Sequence, residues 1–116
     1  MDIEAFRSYC LSKKGVTEEF PFGDSTLVFK VLGKMFALTD IGFESINLKV
    51  DPEEALELRE RYQAVQPGYH MNKKHWNTIV LDGSVPDKLL MRWIDRSYDL
   101  VAAGLTKTQK RTLDTM

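Results

Sequence analysis

The sequence predicts an α+β domain in which helices cover a mainly antiparallel β-sheet. Three kinds of local pattern support this fold class. Apolar residues recur at helical spacing near both ends of the chain, alternating apolar and polar residues mark strands between them, and short turns join neighbouring strands. The predicted order of elements is α-β-β-β-α-β-β-α, and the tight turns make the paired strands antiparallel.

The first predicted helix occupies the start of the chain. Asp2 can cap it, Ile3, Phe6 and Cys10 form its apolar face, and it should end near Gly15. The next segment, residues 16–24, is expected to be an ordered connection without a helix. Three strands should follow, of which the first two form a hairpin. Their predicted ranges are 25–31, 35–39 and 46–50.

The second predicted helix has a strong start signal. Asp51 can cap it, Pro52 suits the first helical position, and Glu54 lies three residues after the cap. We expect this helix to run to about Tyr62. Glu53, Glu57 and Glu60 on it, with Arg59 and Arg61 nearby, are interpreted as a solvated charged face.

The last third of the chain is predicted to hold a second hairpin and the longest helix. Residues 69–71 and 76–81 should pair about a polar turn at 72–75. Ser84 with Asp87 is a plausible cap pair for a helix that ends at Gly104. Residues 105–116 are expected to fray as a polar tail, and all 116 residues should form one domain.

The amino-acid composition limits the classes of function that the chain can have. Sixteen Lys and Arg against seventeen Asp and Glu give a net charge of −1, so nucleic-acid binding would need a local basic patch. The lone Cys10 excludes an internal disulfide, no apolar stretch approaches the roughly 20 residues that span a bilayer, and the start lacks a signal-peptide pattern. We therefore expect a cytoplasmic protein that does not enter a membrane.

Such a basic patch is predicted at the two hairpins. Residues 25–39 and 63–81 contain no acidic side chain, and Lys107, Lys110 and Arg111 could extend the patch from the tail. Residues 69–77 are the densest functional-looking segment, with cations, amides and rings that can contact phosphates, sugars or bases. The candidate nucleic-acid contacts are Lys34, Lys49, Asn72, Lys73, Lys74, His75 and Asn77, with Lys30 on the same predicted surface.

Two other interpretations of this segment stay open. It can be a solvated turn that Tyr69 and Trp76 anchor in the core. Alternatively, Tyr69, His70 and Trp76 could line a small-molecule pocket between sheet and helices. The spacing of His70 and His75 does not fit a metal site, no cofactor motif occurs, and Cys10 fits the core better than a nucleophile. We expect no enzymatic activity.

Several segments together resemble the MmcQ/YjbR family over nearly the whole chain. They are Glu19-Phe20-Pro21-Phe22-Gly23, Val28-Phe29-Lys30, Gly33-Lys34-Met35-Phe36-Ala37, Asn47-Leu48-Lys49, residues 67–77, Leu81-Asp82-Gly83 and Ser97-Tyr98-Asp99-Leu100-Val101. The resemblance implies a two-layer α+β fold, a pair of hairpins described as a double wing, and DNA binding. The alternative is a protein-interaction module or homo-oligomer that associates through a sheet edge or an aromatic patch near Phe20 and Phe22.

Overall fold

The computed structural model describes residues 1–116 and confirms the α+β class. Its ten elements, in chain order, are α1 (Ile3–Leu11), β1 (Val16–Glu19), β2 (Thr26–Val31), β3 (Lys34–Asp40), β4 (Ser45–Lys49), α2 (Pro52–Arg61), β5 (Val65–Pro67), β6 (Trp76–Val80), α3 (Asp87–Ala103) and α4 (Lys107–Asp114). The six strands form one sheet in the order β1-β2-β3-β4-β6-β5, and every neighbouring pair is antiparallel.

The two faces of the sheet differ because the side chains of each strand alternate between them. One face packs against the helices and forms the main core, which includes Phe6 of α1, Phe29 of β2 and Ile94 of α3. The opposite face, called the open face, carries no helix. A smaller cluster of Val28, Leu38 and Trp76 lies there, with Met35 and Met71 packed against it.

Side-chain caps fix the starts of two helices as predicted. Asp2 accepts a hydrogen bond of 2.8 Å from the amide of Ala5 in α1. Asp51 accepts bonds from the amides of Glu53 and Glu54 at the start of α2. The predicted cap of α3 is wrong, because the helix starts after Pro86 without a side-chain cap. Ser84 instead bonds to Asp82 in the preceding turn.

Two further elements differ from the sequence-based expectation. The connection at residues 16–24 contains no helix, but its first part is the edge strand β1, whose Glu18 pairs in register with Phe29. The tail expected to fray instead forms α4, which begins with a capping box between Thr106 and Gln109. Leu113 of α4 packs against the core, so its partial burial stabilises the helix together with the capping box. None of the helices combines the length and hydropathy needed for a bilayer span.

The second hairpin was predicted with the wrong first strand. Val65 pairs with Ile79 and Pro67 with Asn77, so the strand lies before the Pro-Gly break and residues 69–71 belong to the loop. Gly68 explains this shift. A side chain at Gly68 would meet the carbonyl oxygen of Trp76 at 2.9 Å, so only glycine lets the chain leave the strand this close to β6.

Candidate nucleic-acid interface on the open face

The β5–β6 loop (residues 68–75) folds over the open face of the sheet. Its first turn is tied to β6, because the amide of Gly68 donates to the carbonyl of Trp76 at 3.0 Å. The amide of Tyr69 likewise donates to the hydroxyl of Thr78 at 2.9 Å. Met71 then packs on the cluster that contains Trp76. Trp76 is therefore buried, as the anchored-turn interpretation expects, while Tyr69 stays in water.

Arg59 of α2 supports this loop from the helical side. Its Nε donates to Oδ1 of Asn77 at 2.7 Å, and its Nη2 donates to the carbonyl of Lys73. Sequence patterns assigned Arg59 to a solvated helix face and missed this role. The one available signal was Asn77, a polar residue on the inward-facing side of a strand, which needs a buried partner.

Asn77 was predicted to approach bases or sugars, and its position does not permit that. The side chain is 2% exposed, and its Nδ2 donates to the carbonyl of Ala55 at 3.4 Å while its Oδ1 accepts from Arg59. Both ends of the amide are thus occupied inside the protein. Asn77 is a structural residue that joins β6 to α2.

Lys34 and Lys49 come together at one end of the sheet. They line a cleft of about 560 Å³ whose other walls include Trp76 and the last turn of α3. The ammonium of Lys34 donates to the carbonyl of Gly104 at 3.3 Å. The backbone of Lys49 is fixed by Ser97, whose Oγ accepts from the Lys49 amide at 2.8 Å and donates to the Phe36 carbonyl at 2.5 Å.

The other predicted contacts lie in the β5–β6 loop at this same end. Lys73 and Lys74 are exposed, and the ammonium of Lys73 donates to the carbonyl of Gly68 at 3.2 Å. Asn72 turns the loop, since its Oδ1 accepts from the amide of Lys74 at 2.9 Å. His75 is half-buried, and its carbonyl accepts from the amide of Val50 at 2.9 Å.

This end of the sheet, called the basic end, is defined by Lys34, Lys49, Lys73 and Lys74. Lys30 does not add a free charge to it, because its ammonium pairs with Glu19 at 3.3 Å. The hydroxyl of Thr17 and then Lys30 lower the pKa of Glu19. The tail cations Lys107, Lys110 and Arg111 are exposed on α4. The groove between α2 and α3, by contrast, has mixed charge with an excess of carboxylates; it is lined by Asp51, Glu53, Glu54, Glu57, Glu60, Arg61, Arg92 and Arg96.

A second cavity of about 470 Å³ opens on the same face, between the β1–β2 connection and the β5–β6 loop. Tyr69 and His70 line it as predicted for a pocket, whereas Trp76 does not. The predicted position between sheet and helices is wrong, because the loop, not a helix, forms the wall. No group of three metal-ligating side chains occurs in the structure.

The chain matches proteins from several bacteria. A sequence model of the YjbR family matches residues 11–100. Over 115 residues the chain is 34% identical to the uncharacterized protein YjbR of Escherichia coli K12, with 97% of each chain covered. It is also 40% identical over 94 residues to the uncharacterized protein YbdF of Escherichia coli O157:H7, covering 79% of this chain and 77% of that protein.

Two solved structures have the same fold. The crystal structure of Deinococcus radiodurans DR2400, a DUF419 domain, superposes with a TM-score of 0.89 at 48% identity, covering 97% of this chain and 87% of that one. A crystal structure of a Pseudomonas syringae protein gives a TM-score of 0.74 at 31% identity, covering 86% of this chain and 98% of that one.

Proposed function

The chain belongs to the YjbR family, as the sequence resemblance predicted, and from this premise we propose that it is a cytoplasmic, non-enzymatic protein that binds DNA through its basic end. The observation that carries the proposal is the convergence of Lys34 and Lys49 on one cleft, with Lys73 and Lys74 on the loop that enters β6 beside it. Clustered ammonium groups are what phosphate neutralisation requires.

Strand direction explains why these four lysines share one end. Lys49 ends β4, whereas Lys34 begins β3 and residues 73–74 precede β6, and both of these strands are antiparallel to β4. The start of an antiparallel strand lies beside the end of its neighbour. Lys49 is accordingly paired in register with Trp76. The fold thus gathers a local positive charge on a protein whose net charge is −1.

The bonds within the basic end leave the charges available. Lys34 and Lys73 donate to backbone carbonyls, and neither forms an ion pair with a carboxylate. Lys74 and Lys49 have no side-chain partner. A phosphate oxygen would therefore meet ammonium groups that no acid neutralises. Under this proposal Asn72 and His75 help shape the contact loop, and Asn77 has no direct part.

Fluorescence anisotropy with labelled duplex and single-stranded DNA, across a salt series, tests the proposal. We expect binding that weakens steeply with salt, and a Lys73→Ala/Lys74→Ala variant whose log–log salt slope on duplex is smaller by about 0.9 for each lost phosphate contact. The matched control is Lys88→Ala/Arg92→Ala, which removes two exposed cations from α3. Absence of binding at low salt, or affinity independent of salt, would contradict the proposal.

A protein-interaction module is the second candidate, and exposed aromatic rings favour it. Phe20 is 49% exposed and Phe22 is 64% exposed, both beside the edge strand β1. Such rings can pair with another protein or with a second copy of the chain. Concentration-dependent association in light scattering that Phe20→Ser reverses, but Lys73→Ala/Lys74→Ala does not, would favour this function over DNA binding.

A further inference from the structure

The cavity between the β1–β2 connection and the β5–β6 loop has aromatic walls. Phe22 contributes from one side, and Tyr69, His70 and Met71 contribute from the other. Tyr69 is 70% exposed and Phe22 is 64% exposed. The rings of Tyr69 and His70 lie with their centroids 4.0 Å apart. Exposed rings beside a cavity can stack on a planar ligand, as they do on unpaired bases.

The sheet supplies polar groups to the floor of this cavity. Asp40 at the end of β3 forms no ion pair or side-chain hydrogen bond, so its carboxylate is free to accept. Asn47 on β4 accepts from the hydroxyl of Thr78 at its Oδ1, which leaves both N–H groups of its Nδ2 free. Because Asn47 pairs with Leu38, Asp40 is its diagonal neighbour on the same face.

We propose that this cavity binds an unpaired guanine base, held either in a DNA strand or in a free nucleotide. A carboxylate can accept from N1–H and N2–H of guanine, while an amide can donate to O6. Adenine offers the Asp40 carboxylate only its N6–H donor, with the N1 acceptor beside it, so it forms one hydrogen bond to the carboxylate where guanine forms two. A base pair hides this edge, so the base must be unpaired. The strand-borne form of this inference rests on the proposed DNA binding, whereas the nucleotide form does not.

The cavity and the cleft at the basic end share one lining residue. Met35 lines both the cavity and the cleft that holds Lys34 and Lys49. Lys49 and Trp76 are paired in register, and Trp76 packs with Leu38 on the cavity floor. Asp40 and Lys34 lie at opposite ends of β3, about 20 Å apart at the rise of a strand. A strand whose base enters the cavity would therefore run along the open face and bring phosphates a few nucleotides away beside the lysines. This arrangement favours single-stranded over duplex DNA at this site.

Chemical-shift titrations with guanosine 5′-monophosphate and adenosine 5′-monophosphate test the nucleotide form. We expect the guanine nucleotide to bind at least about fivefold more tightly, the range that a paired hydrogen-bond contact supplies. Asp40→Asn should remove that preference, and Asp99→Asn is its control because Asp99 is exposed on α3. Tyr69→Ala should weaken binding about fivefold or more. Phe20→Ala, beside the cavity but not lining it, should not.

Single-stranded oligonucleotides with one dG or none, in anisotropy titrations, separate the two sources of the base. Preference for the dG strand that Asp40→Asn removes supports the strand form, and preference for the free nucleotide alone supports the other. Equal affinity for both bases, or full retention of the preference in Asp40→Asn, would overturn the inference. The Lys73→Ala/Lys74→Ala variant should bind single strands more weakly than wild type but should bind the free nucleotide equally well. Salt-sensitive DNA binding without a preference for guanine would contradict this inference but not the proposed function. Guanine nucleotide binding without any DNA binding would contradict the proposed function but not the nucleotide form of this inference.

Discussion

Nε of Arg59 donates a 2.7 Å hydrogen bond to Oδ1 of Asn77 and so joins α2 to β6 beneath the β5–β6 loop. The same guanidinium also bonds to the carbonyl of Lys73. Asn77 is almost fully buried, so its carbonyl oxygen has no access to water. A cation of α2 therefore holds the backbone from which the proposed DNA contacts project.

Replacing Arg59 by methionine should lower the free energy of unfolding by about 1 to 3 kcal/mol. The substitution keeps most of the aliphatic stem but leaves the buried oxygen of Asn77 without its donor. Urea denaturation of wild type and variant measures the difference. Arg61→Met is the matched control, because Arg61 is exposed two residues away and should change stability by less than about 0.5 kcal/mol. Equal stabilities of the two variants would refute this role for Arg59.

The sequence alone was sufficient to predict the elements that have strong local signals. The Asp51-Pro52 start of α2 and the alternating residues of β2 and β4 each determine their element within a few residues. The start of the second hairpin was not predictable in this way. It depends on the close approach of Gly68 to Trp76, a contact between strands that no local pattern encodes.

The same limit applies to the candidate site. Lysines could be counted along the chain, but which of them keep a free charge depends on pairing across the sheet, as between Lys30 and Glu19. The buried role of Asn77 depends on Arg59, eighteen residues away. α4 was missed because its capping residues Thr106 and Gln109 are polar and its one apolar residue, the partly buried Leu113, gives no periodic pattern.

Ser97 should be more important for stability than its small side chain suggests. It is fully buried, and its hydroxyl bridges the amide of Lys49 and the carbonyl of Phe36 across neighbouring strands. Ser97→Ala would leave both backbone groups without partners, and we expect a loss of about 2 kcal/mol or more. Denaturant unfolding measures it, with Ser8→Ala on the exposed side of α1 as control. A loss as small as that of the control would show that the bridge does not stabilise the sheet.

Stability should fall as the pH rises from about 9 to about 12. Burial raises the pKa of Cys10 from 9.0 to about 12, and a hydrogen bond to Asp95 raises that of Tyr9 from 10.0 to about 12. Below the pKa values of the unfolded chain, the folded and the unfolded states both keep these protons, so the two groups make their full contribution to the free energy of unfolding. At higher pH the unfolded chain releases them first and is favoured, until the folded-state pKa is passed.

Free energies of unfolding measured on either side of this pH window test the effect. Cys10→Ala should be less stable at every pH, because it loses buried volume, but its stability should decline less with pH than that of wild type. Tyr9→Phe should remove a further part of the decline, since it has no ionisable hydroxyl. A decline in Cys10→Ala as steep as in wild type would assign the pH dependence to other groups.

Thr106 should determine whether α4 is ordered. Its side chain accepts from the amide of Gln109 at 3.1 Å, and Oε1 of Gln109 accepts from the amide of Thr106 at 3.0 Å. Thr106→Ala removes one of these bonds and should destabilise the helix by about 0.5 to 2 kcal/mol. Because α4 lies at the chain end, we expect local opening rather than global unfolding. Hydrogen exchange should accelerate at the amides of residues 110–114 and stay unchanged in α3, whereas the control Thr108→Ala, which removes no cap, should preserve protection in both helices. Unaltered exchange in Thr106→Ala would mean that the packing of Leu113, and not the capping box, holds the helix.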